Sequence, residues 1–365
     1  MTAPRLELRD VRKSFDGVEA VRGSTLRLEA GEFLSLLGPS GCGKSTTLAM
    51  IAGFLTPDSG DILVDGKRIN DLAPQHRGIG LVFQDYAVFT RLSVEANLAF
   101  GLEARGVPRR ERRARIDEMA ETLQLGPLMK RRGGSLNMSE MQRVALARVL
   151  VTRPSLLLLD EPMSNLDAAL RASLRSELKQ IQRDLGQTVL YVTHDQVEAM
   201  SMSDRIAVMS EGRLLQVGAP DEIYHRPATR FVAEFIGDPP INMLPCEVMA
   251  TDRGPRLRTA LHDLAASGIA AGPGRHLLAI RPHDVEAFRQ AGRDTAPASV
   301  VLVENLGAEH VVHAGYGDSL LSVVTPPGFA SIGDTVHLRL DLARAHIVDA
   351  ASGAILARGL EARAA

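Results

Sequence analysis

Cysteine is scarce: the chain has two, Cys42 and Cys246, in 365 residues. Two thiols in such different contexts build no disulfide framework and fit a reducing compartment. Long apolar runs are also missing. Stretches such as "LLLL" at 156–159 stop far short of the roughly 20 residues that a membrane-spanning helix needs. The opening "MTAPRLELRDVRKSF" carries no apolar segment of the kind a secretory signal requires. Any membrane association is therefore expected to come through a partner. Charge of one sign is the third absence. With 42 basic and 44 acidic residues the net charge is -2, so no global field recruits nucleic acid or anionic lipid, and no nucleic-acid partner is expected.

What is present suits two domains, or three, each able to bury a core. Residues 5–37 alternate apolar and polar positions ("RLELRDV", "STLRLEAGEFLSLLG"), which predicts strands split by glycine-marked turns. "KSTTLAMIA" at 44–52 has helical spacing, and Gly53 stops it. The stretch from 92 to 150 reads as mostly helical. Its charged block "RRERRARIDEMAETL" places apolar residues three to four apart, as a solvated helix face does. From 154 to 240 a strand ("SLLLLDEP"), a helix ("DAALRASLRSELKQIQRDLG"), a strand ("TVLYVTH") and another helix alternate, predicting a mostly parallel sheet with helices on its faces. The character changes near "GDPPIN", 237–242. Beyond it, "HLLAIRP", "SVVLVENLG" and "TVHLRLD" are short β-type runs, predicting a small barrel-type β domain.

Two segments carry chemistry. "GPSGCGKST" at 38–46 matches G-x-x-x-x-G-K-[ST] through Gly38, Gly43, Lys44 and Ser45, and it lies between an apolar strand and an apolar helix, as the motif demands. The residues of this loop, Gly38, Pro39, Ser40, Gly41, Cys42, Gly43, Lys44, Ser45 and Thr46, are candidates for holding ATP. Glycines let backbone N–H groups turn toward phosphates, the helix N-terminus adds positive potential, and Lys44 reaches the β- and γ-phosphates. Ser45 can ligate Mg²⁺. In "LLLLDEP", Asp160 at the strand end can hold Mg²⁺ through water, and Glu161 can polarise an attacking water. On its own this acidic pair could also cap a helix; the preceding loop favours the catalytic reading.

With these segments in order, the chain resembles the ATPase subunit of an ATP-binding-cassette importer, of the maltose-importer type with a C-terminal regulatory domain. Gln84 in "VFQDYAVF" resembles the Q-loop, "SNLD" at 164–167 the D-loop, and His194 in "YVTHDQVEAM" the switch histidine. The resemblance implies an α/β P-loop NTPase cassette over 1–237, with a mixed, largely parallel sheet and a helical subdomain at about 88–153. An all-β, OB-like regulatory domain is implied over 238–365. It further implies that Phe15 stacks on adenine, though a plain strand-core role also suits "KSFDG". Gln84 would sense Mg²⁺ and the lytic water, His194 would contact the γ-phosphate, and Asp167 would cross a dimer interface. The partners implied are a second ATPase subunit, transmembrane permease subunits and, indirectly, a periplasmic or extracellular solute-binding protein. The expected place is the cytoplasmic face of the inner membrane. "LAIRPHDVE", "VENLGAEH", "HIVDAASGAIL" and "IYHRPATRFVAEFIGDPPINML" look closest to carbohydrate or polyol importers. A polyamine, iron or glycerol phosphate importer, or an ATP-binding regulatory subunit with little turnover, remains the alternative.

The pattern breaks in "GGSLNMSEMQRVALARVL", 133–150. Registered on "QRVALARVL", Asn137, Met138, Ser139 and Glu140 stand where the family signature reads Ser-Gly-Gly-Gln, facing the γ-phosphate bound by the other subunit. Asn137 and the Ser139 backbone remain candidate contacts, whereas Glu140 sets a carboxylate where phosphate would come. Loss of a preorganised donor there costs on the order of 10² to 10³ in rate. The same residues also read as a well-capped helix start, since Asn137-x-x-Glu140 and Ser139-x-x-Gln142 both have capping-box spacing. A homodimer would carry the altered loop at both composite sites. A paralogous heterodimer, with one competent and one degenerate site, is the expectation. Thr90 and Arg91 are a second departure, standing where the family has Pro and His on the permease-facing segment, and they imply a dedicated permease.

Overall fold

The computed structural model describes residues 3–164, 166–252, 254–267 and 271–362. Asn165 of the "SNLD" segment lies outside the described residues. The chain divides into two compact units, residues 1–220 and 221–365.

In the first unit the strands are β1 (Leu6–Phe15), β2 (Val18–Leu28), β3 (Phe33–Leu37), β4 (Ser59–Val64), β5 (Lys67–Arg68), β6 (Ile79–Val82), β7 (Leu156–Asp160), β8 (Val189–Thr193), β9 (Arg205–Ser210) and β10 (Arg213–Gly218). The α-helices are α1 (Lys44–Ala52), α2 (Val94–Ala104), α3 (Arg109–Thr122), α4 (Met138–Leu150), α5 (Ala168–Leu185) and α6 (Gln196–Met202). One sheet has the order β2-β1-β4-β5, all antiparallel. The other runs β10-β9-β3-β8-β7-β6. Its strands are parallel except for the edge pair β10 and β9.

The apolar run of β7 explains why this second sheet is buried on both faces. Successive side chains of a strand point to opposite sides. Leu157 and Leu159 enter a core shared with α2 to α6, while Leu156 and Leu158 enter one shared with β1, β2, β4 and α1. β8 does the same, with Val189 and Tyr191 on the first side and Leu190 and Val192 on the second. The helices end where local chemistry stops them. Gly53, at φ 93°, closes α1, and Gly186, at φ 58°, closes α5, a left-handed cap that glycine adopts without strain.

The second unit holds α7 (Pro220–His225) from its second residue on, then α8 (Arg230–Phe235) and the strands β11 (Asn242–Thr251), β12 (Gly254–Arg258), β13 (Asp263–Ser267), β14 (Gly274–Ile280), β15 (Val285–Phe288), β16 (Ala296–Asn305), β17 (His310–Tyr316), β18 (Ser319–Thr325), β19 (Thr335–Leu340), β20 (His346–Val348), β21 (Ile355–Arg358) and β22 (Glu361–Ala362). They form antiparallel sheets of order β21-β20-β14-β11-β12-β13-β22 and β15-β19-β16-β17-β18. Leu244, Leu278 and Ile347 of the first sheet share a core with Val300, Val312 and Leu338 of the second. The composition change at 237–242 marks where the strands begin. The chain itself divides earlier, after Pro220. The physical reason is that Arg281, at the end of β14, donates to the carbonyls of Tyr224 and Ile236, and Arg358 to that of Pro227. These bonds fasten the short helices to the β unit.

Candidate functional site

β3, β7 and β8 are adjacent, parallel and end at one edge of the sheet. In open α/β sheets that edge is where ligands bind. β3 delivers the glycine loop, β7 delivers Asp160 and Glu161, and β8 delivers His194.

The glycine loop is shaped by two carbonyls pressing on it. A Cβ on Gly38 would lie 2.1 Å from the Met209 carbonyl oxygen, and one on Gly43 would lie 2.3 Å from that of Ala20. Gly43 also sits at φ 105°, whereas Gly41, at φ 76°, faces open space and needs glycine only for its backbone angle. Pro39 and Cys42 close the turn through a Cys42 N–H to Pro39 O bond. The Cys42 thiol is buried, and that burial pushes its pKa up, so it is a packing group rather than a nucleophile. Lys44 is only 4% exposed, its ammonium donating to the carbonyls of Gly38 at 2.8 Å and Pro39 at 2.9 Å. α1 starts on Gly43 without a side-chain cap, while α2, α5 and α6 start on Ser93, Asp167 and Asp195, each accepting a backbone N–H. The first N–H groups of α1 are thereby left for an anion. Ser40 is exposed and Thr46 half-buried on the same loop.

Ser45 Oγ and Asp160 Oδ1 approach to 3.5 Å. Burial, and then the neighbouring Glu161 carboxylate, raise the Asp160 pKa. An oxygen-only donor set in a place that penalises negative charge fits a hard divalent cation such as Mg²⁺. His194 Nδ1 lies 3.0 Å from Glu161 Oε2. Glu161 itself stands at φ 44°, a backbone angle uncommon for any residue but glycine. The Gln84 amide donates to Ser164 Oγ at 3.1 Å, and that hydroxyl donates to the Glu161 carbonyl at 3.0 Å. Gln84, Ser164, Glu161 and His194 thus form one connected set.

Phe15 ends β1 with its ring 43% exposed and Lys13 Nζ 5.5 Å from the ring centre. Strand-core packing is therefore not its role. Asp167 caps α5, accepting from the Leu170 N–H at 2.9 Å.

In the altered signature stretch, Asn137 is the N-cap of α4. Its side chain accepts from the Glu140 N–H at 2.9 Å, and the Glu140 carboxylate accepts from the Asn137 N–H at 2.9 Å. The second capping box expected from spacing does not form. Ser139 lies inside the first turn of α4, and Gln142 is buried one turn further on; a helix has a single N-cap, and Asn137 occupies it. Glu140 does set its carboxylate in the first turn of α4, where it has partners within its own subunit. Glu140 Oε1 is paired with Arg131 Nη1 at 2.8 Å, and its other oxygen serves the cap. Met138 stands out from the surface at 36% exposure. The two preceding glycines have a packing role: a Cβ on Gly133 would meet the Phe89 carbonyl oxygen at 2.7 Å, and Gly134 N–H donates to Thr90 O.

Sequence reasoning missed Arg131 and the Ser164 relay, which no periodicity announces. It also missed a buried frame around His194. The Glu198 carboxyl, its pKa raised by burial, accepts from Tyr191 OH at 2.8 Å and Thr193 Oγ1 at 2.7 Å. Arg171 pairs with Asp195 at 2.9 Å. The two acidic residues within "THDQVEAM", Asp195 and Glu198, are the signal that could have revealed it.

Comparison with known proteins adds to this geometry. Residues 21–164 match the ABC transporter family and residues 278–348 the TOBE domain. The trehalose/maltose import ATP-binding protein MalK of Thermococcus litoralis is 44% identical, over 95% of this chain and 98% of that protein. The sn-glycerol-3-phosphate import ATP-binding protein UgpC 1 of Rhizobium johnstonii is 39% identical, over 96% of both. Among solved structures, cbiO1 of Clostridium perfringens, part of an ABC transporter complex, superposes with a TM-score of 0.57 at 33% identity, covering 60% of this chain and 90% of that one. A dimeric ATP-binding cassette in a post-hydrolysis state, bound to ADP and Pi, gives a TM-score of 0.52 at 29% identity, over 59% of this chain and 98% of that one.

Proposed function

The chain belongs to the ABC transporter family, as one of its import ATPases, and from that premise we propose that it powers uptake of a carbohydrate or polyol through a separate permease. The cargo class is supported by the two import proteins to which nearly the whole chain aligns. The observation that carries the chemistry is the 3.0 Å contact between Glu161 and His194, set beside the glycine loop.

The proposed residue roles follow from position. The N–H groups at the start of α1 and the Gly38–Thr46 loop receive the phosphates of ATP. Lys44 exchanges its two loop carbonyls for phosphate oxygens, a trade of neutral acceptors for charged ones. Ser45, Asp160 and Gln84 would hold Mg²⁺, which when bound neutralises charge on the phosphates. Glu161 accepts a proton from the attacking water, and His194 orients the γ-phosphate side of the site. The exposed Phe15 ring offers a face for adenine. The link from Gln84 through Ser164 to the Glu161 backbone lets the state of the site reach the segment after Gln84.

That segment supports the proposed permease contact. Phe89 and Leu92 are exposed apolar residues there, next to exposed Thr90 and Arg91. No helix among the described residues is long and apolar enough to cross a membrane, which accords with attachment through permease subunits at the cytoplasmic face. The capped, glycine-free signature start supports pairing with a paralogous ATPase subunit whose own signature completes this chain's site.

Single-turnover hydrolysis of ATP by the wild-type chain and a Glu161→Gln variant tests the reading. Loss of a positioned base predicts a rate lower by about 10² to 10⁴ with nucleotide binding kept; equal rates would overturn the assignment.

A further inference from the structure

The β unit contains a cavity of about 610 Å³ that the ATPase reading does not use. Four guanidinium groups line it, those of Arg226, Arg281, Arg344 and Arg358, against one carboxylate, Asp284. Arg281 is only 4% exposed, yet its two bonds go to neutral carbonyls, of Ile236 and Tyr224, and its guanidinium lies 3.8 Å from the centre of the Tyr224 ring. Asp284 meets Arg344 only loosely, at 3.5 Å. Arg344 also reaches Asp341 at 3.8 Å, so the excess of positive charge rests on Arg281 and Arg358, whose hydrogen bonds go to the neutral carbonyls of Ile236, Tyr224 and Pro227.

A second observation points to a ligand. His346, 6% exposed and on the cavity wall, has a buried Nδ1 with no hydrogen-bond partner. Buried polar atoms are nearly always satisfied, and an orphan asks for an explanation. Burial first, and then the positive charge of Arg358, Arg281 and His225, depress the His346 pKa to about 4. The imidazole thus registers the same excess of positive charge.

We propose that this cavity binds a small phosphate-bearing molecule, with Arg281, Arg344 and Arg358 holding the phosphate and His346 completing its coordination. Guanidinium groups match phosphate oxygens in geometry and charge. A volume of about 610 Å³ lies within the range of small-molecule sites. It leaves room beyond the phosphate for an organic part against the Tyr224 ring, which favours a sugar phosphate over free phosphate.

Calorimetric titration of the full chain with glucose-6-phosphate, inorganic phosphate and glucose tests this. The nucleotide loop is a rival phosphate site, so the titration is repeated in a Lys44→Ala variant. Saturable binding of a phosphate-bearing probe in both proteins, with none for glucose, is the expected result; tighter binding of the ester assigns the sugar phosphate, and tighter binding of inorganic phosphate assigns the free anion. Arg344 and Arg358 are both exposed; Arg344→Gln removes no bond that fastens the short helices, whereas Arg358→Gln also removes the bond to Pro227, so a thermal melt of each variant separates lost binding from lost folding. Each should weaken binding by about tenfold or more. The proposal fails if neither phosphate probe binds at about 1 mM, if binding vanishes with Lys44, or if both glutamine variants bind as the wild type does.

Discussion

Arg131 and Glu140 form an ion pair at 2.8 Å, nine residues apart in sequence, and the same carboxylate closes a reciprocal cap with Asn137. The stretch that departs from the family signature is therefore a well-satisfied helix start. Its acid is occupied twice within its own subunit, by the Arg131 guanidinium and by the Asn137 N–H.

The cap has a measurable effect on folding. Asn137→Ala should lower the stability of the chain in urea by about 1 kcal/mol, while Asn137→Ser, which keeps a capping oxygen, should change it by a few tenths at most. An Ala variant as stable as the wild type would show that the cap carries no weight.

That cap was legible in the sequence because a capping box is written within four residues. So were the bounds of α1 and α5, where Gly53 and Gly186 stop the helices, and the burial of β7 on both faces. Arg131 was not legible, because its meeting with Glu140 depends on the turn at 133–136. Nor was the bond between Gln84 and Ser164, which spans 80 positions of chain and exists only once β6 and β7 pair. The folding-back of Lys44 onto its own loop likewise needs the three-dimensional curl of Gly38 to Gly43. The division after Pro220 was missed because two arginines of the β unit, the buried Arg281 and the exposed Arg358, rather than local composition, decide where α7 and α8 belong.

Asp160 predicts a conflict between stability and function. Its pKa is raised by burial and by Glu161, so in the nucleotide-free chain the ionised carboxylate is disfavoured by folding. A raised folded-state value means that this group favours folding most at low pH, and that the advantage is lost as pH rises through the folded-state pKa. Asp160→Asn should thus raise the melting temperature of the nucleotide-free chain at neutral pH, by an amount that shrinks on acidification, while abolishing Mg²⁺-dependent hydrolysis. A lower melting temperature at neutral pH would contradict the account.

Gly133 is held against the backbone of Phe89, which Asn97 grips from both sides through its N–H and carbonyl. A methyl group there would meet the Phe89 carbonyl oxygen at 2.7 Å and Val88 Cγ1 at 2.9 Å, and the backbone contact cannot be relieved by a change of rotamer. Gly133→Ala should cost about 1 to 3 kcal/mol, as overpacking does. The urea midpoint would fall with its slope unchanged; an unaltered midpoint would mean that the 88–90 segment yields easily.

Restoring the family signature separates the cap from catalysis. The quadruple change Asn137→Ser, Met138→Gly, Ser139→Gly and Glu140→Gln still spells a capping box, Ser-x-x-Gln. It places two glycines in the first turn of α4, at about 1 kcal/mol each, and opens the backbone to phosphate. Steady-state ATP turnover of the isolated chain, before and after this change, is the most direct test of the central claim that the ATPase machinery is complete and the signature surface is what is missing. The account predicts slow turnover by the native chain and a gain on the order of 10² to 10³ on restoration; brisk, cooperative turnover by the native chain, unchanged by restoration, would contradict it.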